Sequence, residues 1–314
     1  MLDGYGRKPI VVVGSINADL VAKVEKIPHG GETVLGSDFH IYPGGKGANQ
    51  AVAVGRLDYP VFMIGKVGCD AFALLLRASM TNAGVDISGV GTAEGASGVA
   101  LIEVDPQGEN SIVVAPGANS TLSPDDIDAN EGILLQAGLV LVQLEISLET
   151  VAHLVKVCAR LNVPVIMDPA PAQTLPLEVL CAVRWFTPNE TEAEFYIGNS
   201  ATKHNNHTKQ DLRIRRDALF AHGVQGVVLK QGLRGVYLGT RDGLNVSVPA
   251  FPVKAIDTTA AGDAFNGAFA TGLMLGKDPE ESARFASAAA AISVTRAGAQ
   301  SSMASRKETE ALLA

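Results

Sequence analysis

The chain has 314 residues, 47% apolar but only 5% aromatic, with 33 glycines; these are the habits of one large α/β domain, or two smaller ones, with a helix-covered parallel sheet, and not of a β-sandwich. A net charge of −8, with no basic run of five or more, argues against nucleic acid and anionic membrane as partners, so an anionic substrate would be held by local N–H groups and single cations. Cys69, Cys158 and Cys181 lack C-x-x-C spacing and read as reduced core thiols of a cytoplasmic protein, and no apolar run approaches the length needed for export or membrane spanning.

Ile10-Val11-Val12-Val13-Gly14 is a β-branched run that predicts a central strand buried on both faces. Leu20 to Glu25, Val34 to Tyr42, Val99 to Val104 and Ser111 to Ala115 alternate apolar with polar residues. These four half-exposed strands predict a small sheet standing off the main body. From Leu139 the pattern becomes strand, helix, strand: Leu139 to Gln143, a helix over Ser147 to Leu161 with Ser147 as its cap, then Val163 to Met167 and later Gly226 to Lys230. That alternation predicts right-handed βαβ units, whose ligands bind outside the carboxyl ends of the strands. Ile197 to Asp211 is polar, and its His204-x-x-His207 reads as a solvated insertion rather than a metal pair. Val248 to Ile256 reads as a strand leading through small residues into an apolar helix, and Ser305 to Leu313 as a short terminal helix.

Three stretches carry chemistry. Asn17 and Asp19, two apart after the first strand, share one side of an extended chain; they either bind vicinal hydroxyls or serve a turn through local backbone bonds. Gly44-Gly45-Lys46-Gly47-Ala48-Asn49-Gln50 combines close backbone approach with a cation and an amide at a helix start. Asp257-Thr258-Thr259-Ala260-Ala261-Gly262-Asp263 sets a carboxylate at the start of an apolar helix, where unpaired N–H groups hold an anion; Asp263 is either a helix cap or a base beside that anion. No G-x-x-x-x-G-K-[ST] and no G-x-G-x-x-G after the first strand is present, which disfavours a P-loop enzyme and a dinucleotide dehydrogenase.

Gly44 to Asn49 resembles the N-terminal signature of the PfkB carbohydrate kinases, Asp257 to Asp263 the C-terminal one, and Asn189-Glu190-Thr191-Glu192 their N-x-x-E magnesium motif. The motifs stand in family order between about Val11 and Ser302. Gly14 to Asp19, Gln143-Leu144-Glu145, Asp168-Pro169-Ala170-Pro171-Ala172 and Gly298-Ala299-Gln300 are similar to the ribokinase-like branch of that family.

The resemblance implies an α/β fold with an open, mainly parallel sheet sandwiched by helices and a small β-sheet lid. The core would cover about 1–16, 44–96 and 117–314, and the lid about 17–43 and 97–116. It implies ATP-dependent phosphorylation of D-ribose at the 5-hydroxyl, with Asn17, Asp19, Gly45, Lys46, Asn49 and Glu145 binding the pentose. Asp263 would be the base, and the N–H groups of Ala261, Gly262 and Asp263 the anion hole. Asn189 would face the phosphates and Glu192 would position Mg²⁺ through water. Lys230, Gly232, Leu233 and Gly235 would form the nucleotide loop, with Ser287 near adenine. K⁺ would sit by Asp257, Thr259, Ser293, Arg296, Gly298 and Ser302, mostly on carbonyls, and two lids would pair in a homodimer.

Against the branch pattern, Lys230 stands where Thr is frequent, Leu233 for Ser, Ser287 for His and Ser301 for Pro. Lys230 either neutralises phosphate or extends to solvent. The rival readings are kinases of 2-deoxyribose, fructose, a ketodeoxy acid or adenosine, and a non-catalytic sugar sensor. Asn17 favours ribose over deoxyribose, for which Met is the usual residue in the resembling sequences. A sensor should have lost Asp263 or Gly262, and both are present.

Overall fold

The computed structural model describes residues 7–198 and 209–314, so His204-x-x-His207 lies outside the described residues. The strands are β1 Ile10–Val13, β2 Asn17–Val24, β3 Gly36–Gly44, β4 Val61–Val67, β5 Asp86–Thr92, β6 Gly98–Val104, β7 Asn110–Ala115, β8 Leu139–Val142, β9 Val165–Met167, β10 Trp185–Phe186, β11 Gly226–Lys230, β12 Val236–Thr240 and β13 Asn245–Val248.

Nine of them form one sheet in the order β13-β12-β11-β10-β9-β8-β1-β4-β5. It is parallel from β11 to β5, and β12 and β13 turn antiparallel at one edge. β1 and β8 are buried along their whole length, as two-sided burial of a β-branched run demands. Side chains alternate between two cores, Ile10 and Val12 facing one and Val11 and Val13 the other. The helix Leu148–Leu161 illustrates the local logic. The Ser147 hydroxyl accepts from Thr150 N at 3.1 Å, Val151, Leu154, Val155 and Cys158 are buried on one face, and Asn162 ends it in the left-handed region at φ 55°.

Two expectations need correction. The chain beyond Val248 is irregular up to the turn, because Pro249 and Pro252 remove backbone donors that a strand would need. Of the three cysteines only Cys158 is buried, its thiol pushed up to about 12 by burial; Cys69 and Cys181 lie on the surface, in a loop after β4 and in the last turn of a short helix.

The other four strands form a separate sheet, β3-β2-β6-β7. β1 leads into β2 through only Gly14, Ser15 and Ile16, so Asn17 stands where the core hands over to the small sheet. One cross-strand row, Ile41, Leu20, Leu101 and Val113, falls on the face opposite Asp19, with Ile41, Leu101 and Val113 exposed.

The helices Lys46–Arg56 and Ala261–Met274 bring the site together. They meet through small residues: a Cβ on Gly267 would stand 2.7 Å from Ala53 Cβ and 2.8 Å from Gln50 O. Only glycine permits that approach, which carries Asn49 and Gln50 onto Asp263.

Candidate active site

The Lys46 helix begins at Gly45, whose φ of 84° suits glycine. Its first N–H groups are satisfied from the segments that follow β1 and β8 rather than by a local cap. Lys46 N donates to Glu145 Oε2 at 3.2 Å, Gly47 N to Ser15 Oγ at 3.4 Å and Ala48 N to Ser15 O at 2.9 Å. The Ser15 hydroxyl in turn donates to Glu145 Oε2 at 2.5 Å. The ends of β1 and β8 thereby fix the cationic side chain, whose Nζ lies 3.8 Å from Glu145 Oε1. Burial pulls the Lys46 pKa down, but Asp263, Glu145, Asp168 and Glu192 outweigh it, so the net shift is upward and the ammonium stays charged.

Asp263 sits in the first turn of the helix Ala261–Met274 and is almost fully buried. Asn49 Nδ2 donates to its Oδ2 at 3.0 Å and Gln50 Nε2 to its Oδ1 at 3.1 Å. Burial raises its pKa to about 6; Lys46 and the two amides pull downward and Asp168 pushes upward. A carboxylate that is mostly ionised yet basic near neutral pH suits proton abstraction.

The preceding Ala260 adopts φ 57°, and Ala261 N is used within the turn, donating to Thr258 O at 3.2 Å. Gly262 N and Asp263 N have no acceptor among the described residues. Those two N–H groups are open at this helix start, while Ala261 N is used within the turn.

On the small-sheet side, Asn119 Nδ2 donates to Asn17 Oδ1 at 2.7 Å and Asn119 Oδ1 accepts from Ile16 N at 2.8 Å. This leaves the Asn17 amide N–H₂ to a ligand. Asp19 lies nearby, its pKa raised to about 7 by burial first, then by Glu145 and Asp263, against Lys46. Asn49 Oδ1 is buried with no hydrogen-bond partner among the described residues.

On the other side lies a cavity of ≈ 270 Å³ whose walls include Lys230, Leu233, Phe251, Gly262 and Ser287. Ser287 Oγ is buried and unpaired, and Leu233 is exposed at the rim. The Lys230 head does not extend to solvent: Nζ donates to Asp168 Oδ1 at 2.9 Å. Asn189 and Glu192 form a capping box on the helix Glu190–Ile197, with Glu192 N on Asn189 Oδ1 at 2.8 Å and Asn189 N on Glu192 Oε2 at 2.7 Å. The Glu192 pKa is raised, first by burial and also by Asp168, against Lys230.

Behind the cradle, the Asp257 carboxylate ties two loops, accepting from Thr259 N at 2.9 Å and Gly298 N at 2.8 Å. Burial works against ionisation there, but these bonds prevail and its pKa is lowered. Ser293 and Ser302 are buried, their hydroxyls donating to Ala290 O and Ala299 O, and Arg296 pairs with Glu308. Side chains here are largely engaged, which leaves carbonyls and residual hydroxyl lone pairs for a hard cation.

Sequence reasoning gave no role to Gln50, Asp168, Asn119 or Ser15. Gln50 and Asp168 stood inside quoted motifs; Asn119, in the turn Gly117–Thr121, carries no local signal because only the fold brings it to Asn17.

Five carboxylates (Asp19, Glu145, Asp168, Glu192 and Asp263) face two ammonium groups, Lys46 and Lys230. That excess of acid fits a divalent cation arriving with phosphates. Among the described residues no three His, Cys, Asp or Glu form a metal cage.

The model of the pfkB family of carbohydrate kinases matches residues 7–306. This chain belongs to the pfkB carbohydrate kinase family. It is 40% identical over 305 residues to a ribokinase of Haemophilus influenzae, covering 96% of this chain and 97% of the relative. It is 39% identical over 295 residues to a deoxyribokinase of Salmonella typhi, covering 93% and 94%. The solved structure of an Arabidopsis thaliana ribokinase complexed with ribose and ATP superposes with a TM-score of 0.88 at 34% identity, covering 98% of this chain and 99% of that one.

Proposed function

We propose that this kinase transfers the γ-phosphoryl group of ATP to the 5-hydroxyl of D-ribose. One observation carries the reading: a buried carboxylate, Asp263, shares its helix start with two N–H groups that have no acceptor among the described residues. Ribose would lie between Asn17, Asp19, Gly45, Lys46, Asn49 and Glu145, and Asp263 would take the 5-hydroxyl proton. Gly262 N and Asp263 N would hold the moving phosphoryl group, where positioning and charge stabilisation supply most of the catalysis. The nucleotide would occupy the cavity along Lys230, Gly232, Leu233 and Gly235, with Ser287 toward the base and Asn189 toward the phosphates. When bound, Mg²⁺ would neutralise phosphate charge, with Glu192 the residue placed to hold its water. K⁺ beside Asp257, Thr259, Ser293, Arg296, Gly298 and Ser302 would tighten the cradle from behind.

The small sheet would act as a lid over the sugar, excluding water from the transfer. Its apolar row at Ile41, Leu101 and Val113 supports pairing of two lids in a homodimer. No described helix is long and apolar enough to cross a membrane. With three free cysteines, a cytoplasmic enzyme is the reading that fits.

Near-equal identity to a ribokinase and to a deoxyribokinase keeps 2-deoxyribose as the second reading. An ADP-release assay across ribose, 2-deoxyribose, fructose and adenosine tests both. A higher kcat/KM for any sugar but ribose would replace the first reading.

A further inference from the structure

Lys230 ends β11 at the mouth of the nucleotide cavity. Its backbone is fixed, with Lys230 N on Pro188 O at 2.9 Å and a parallel bridge to Asn189. Its side chain is only 14% exposed and that of Asp168 3%. A Cβ on Gly262 would stand 3.5 Å from Lys230 Nζ, which puts the ammonium at the lip of the anion cradle. Asp168 does not need this lysine for all its bonding, since its Oδ2 already accepts from Gln50 Nε2 at 3.0 Å. A single buried Lys–Asp pair gains little stability once desolvation is counted. A compact charge on a flexible four-carbon stem, beside two free N–H groups, is in contrast well placed to meet an anion.

We propose that Lys230 is a catalytic residue, paired with Asp168 in this structure and drawn onto the transferring phosphoryl group when a nucleoside triphosphate binds. This rests on the kinase reading above. In the transfer, a lone pair of the sugar hydroxyl forms the new O–P bond. The bond from the γ-phosphorus to the β–γ bridging oxygen breaks, and its electron pair leaves with the diphosphate. The hydroxyl proton passes to Asp263. Lys230 exchanges no atom; its ammonium offsets the charge spread over the equatorial oxygens, alongside Gly262 N.

The test compares the wild-type protein with Lys230→Met, Lys230→Gln and Lys230→Arg. Calorimetry with Mg²⁺ measures binding of the β,γ-imido analogue of ATP and of AMP, and turnover is measured with ribose. Lys230→Met and Lys230→Gln should weaken the analogue by about tenfold or more while AMP binding changes less than about twofold. They should lower kcat by about 10²-fold with the ribose KM within about twofold, and Lys230→Arg should recover most of the loss. Should Lys230→Met fail to fold, the Gln and Arg variants carry the same comparison. Equal changes for analogue and AMP, or a kcat within about threefold of wild type, would overturn the proposal and leave Lys230 a partner of Asp168 only. The analogue-to-AMP ratio needs no sugar, so failure to phosphorylate ribose would remove the substrate assignment without touching this one.

Discussion

Asn49 Nδ2 lies 3.0 Å from Asp263 Oδ2, joining the two signature motifs across 214 residues of sequence. The amide orients the carboxylate, and its own buried Oδ1 stays open to a hydroxyl. Asp263→Asn would replace an acceptor with a group that cannot take the proton and would set amide N–H against amide N–H. Turnover should fall by at least about 10²-fold with ribose binding largely kept. Near-wild-type kcat in that variant would remove Asp263 as the base.

The pH dependence should report the same carboxylate. Asp263 must be ionised to accept a proton, so kcat should fall as pH drops through about 6. The Asp168 charge raises this pKa, so Asp168→Asn should move the acid limb to lower pH. A limb displaced upward in the variant's pH–rate profile would contradict the assignment.

Overall identity does not separate ribose from 2-deoxyribose, and Asn17 is the position at which the two should be told apart. Its amide N–H₂ is freed for a ligand because Asn119 occupies its oxygen. Asn17→Met should lower kcat/KM for ribose by about tenfold or more and narrow the preference over 2-deoxyribose. An unchanged ribose-to-deoxyribose ratio would mean that another group reads the 2-hydroxyl.

The loops tied by Asp257 offer hard oxygen donors behind the cradle. Turnover in K⁺ should exceed that in Na⁺ at equal ionic strength by about threefold or more. Equal rates in the two salts would remove the cation site, and Asp257→Ala should abolish any difference.

The exposed row at Ile41, Leu101 and Val113 should hold two copies together. Sedimentation at micromolar concentration should give a dimer, and Leu101→Lys should shift it to monomer, since a charge in an apolar interface must be desolvated. A monomeric wild-type protein would count against paired lids.

The sequence by itself determined the main frame. A β-branched run such as Ile10 to Val13 can only be a strand buried on both faces, and a helix such as Leu148–Leu161 carries its own cap and apolar stripe. The motifs also named Lys46, Asn49 and Asp263, because anion cradles and close backbone approach demand particular small and polar residues. The tertiary structure decided what no local pattern encodes. Gly267 against Ala53 sets how near two helices come, and hence that Gln50 links Asp168 to Asp263. Asn119 reaches Asn17 across 102 residues, and Lys230 turns inward to Asp168 rather than to water. Contacts between distant segments depend on packing, whose distances a one-dimensional pattern does not contain.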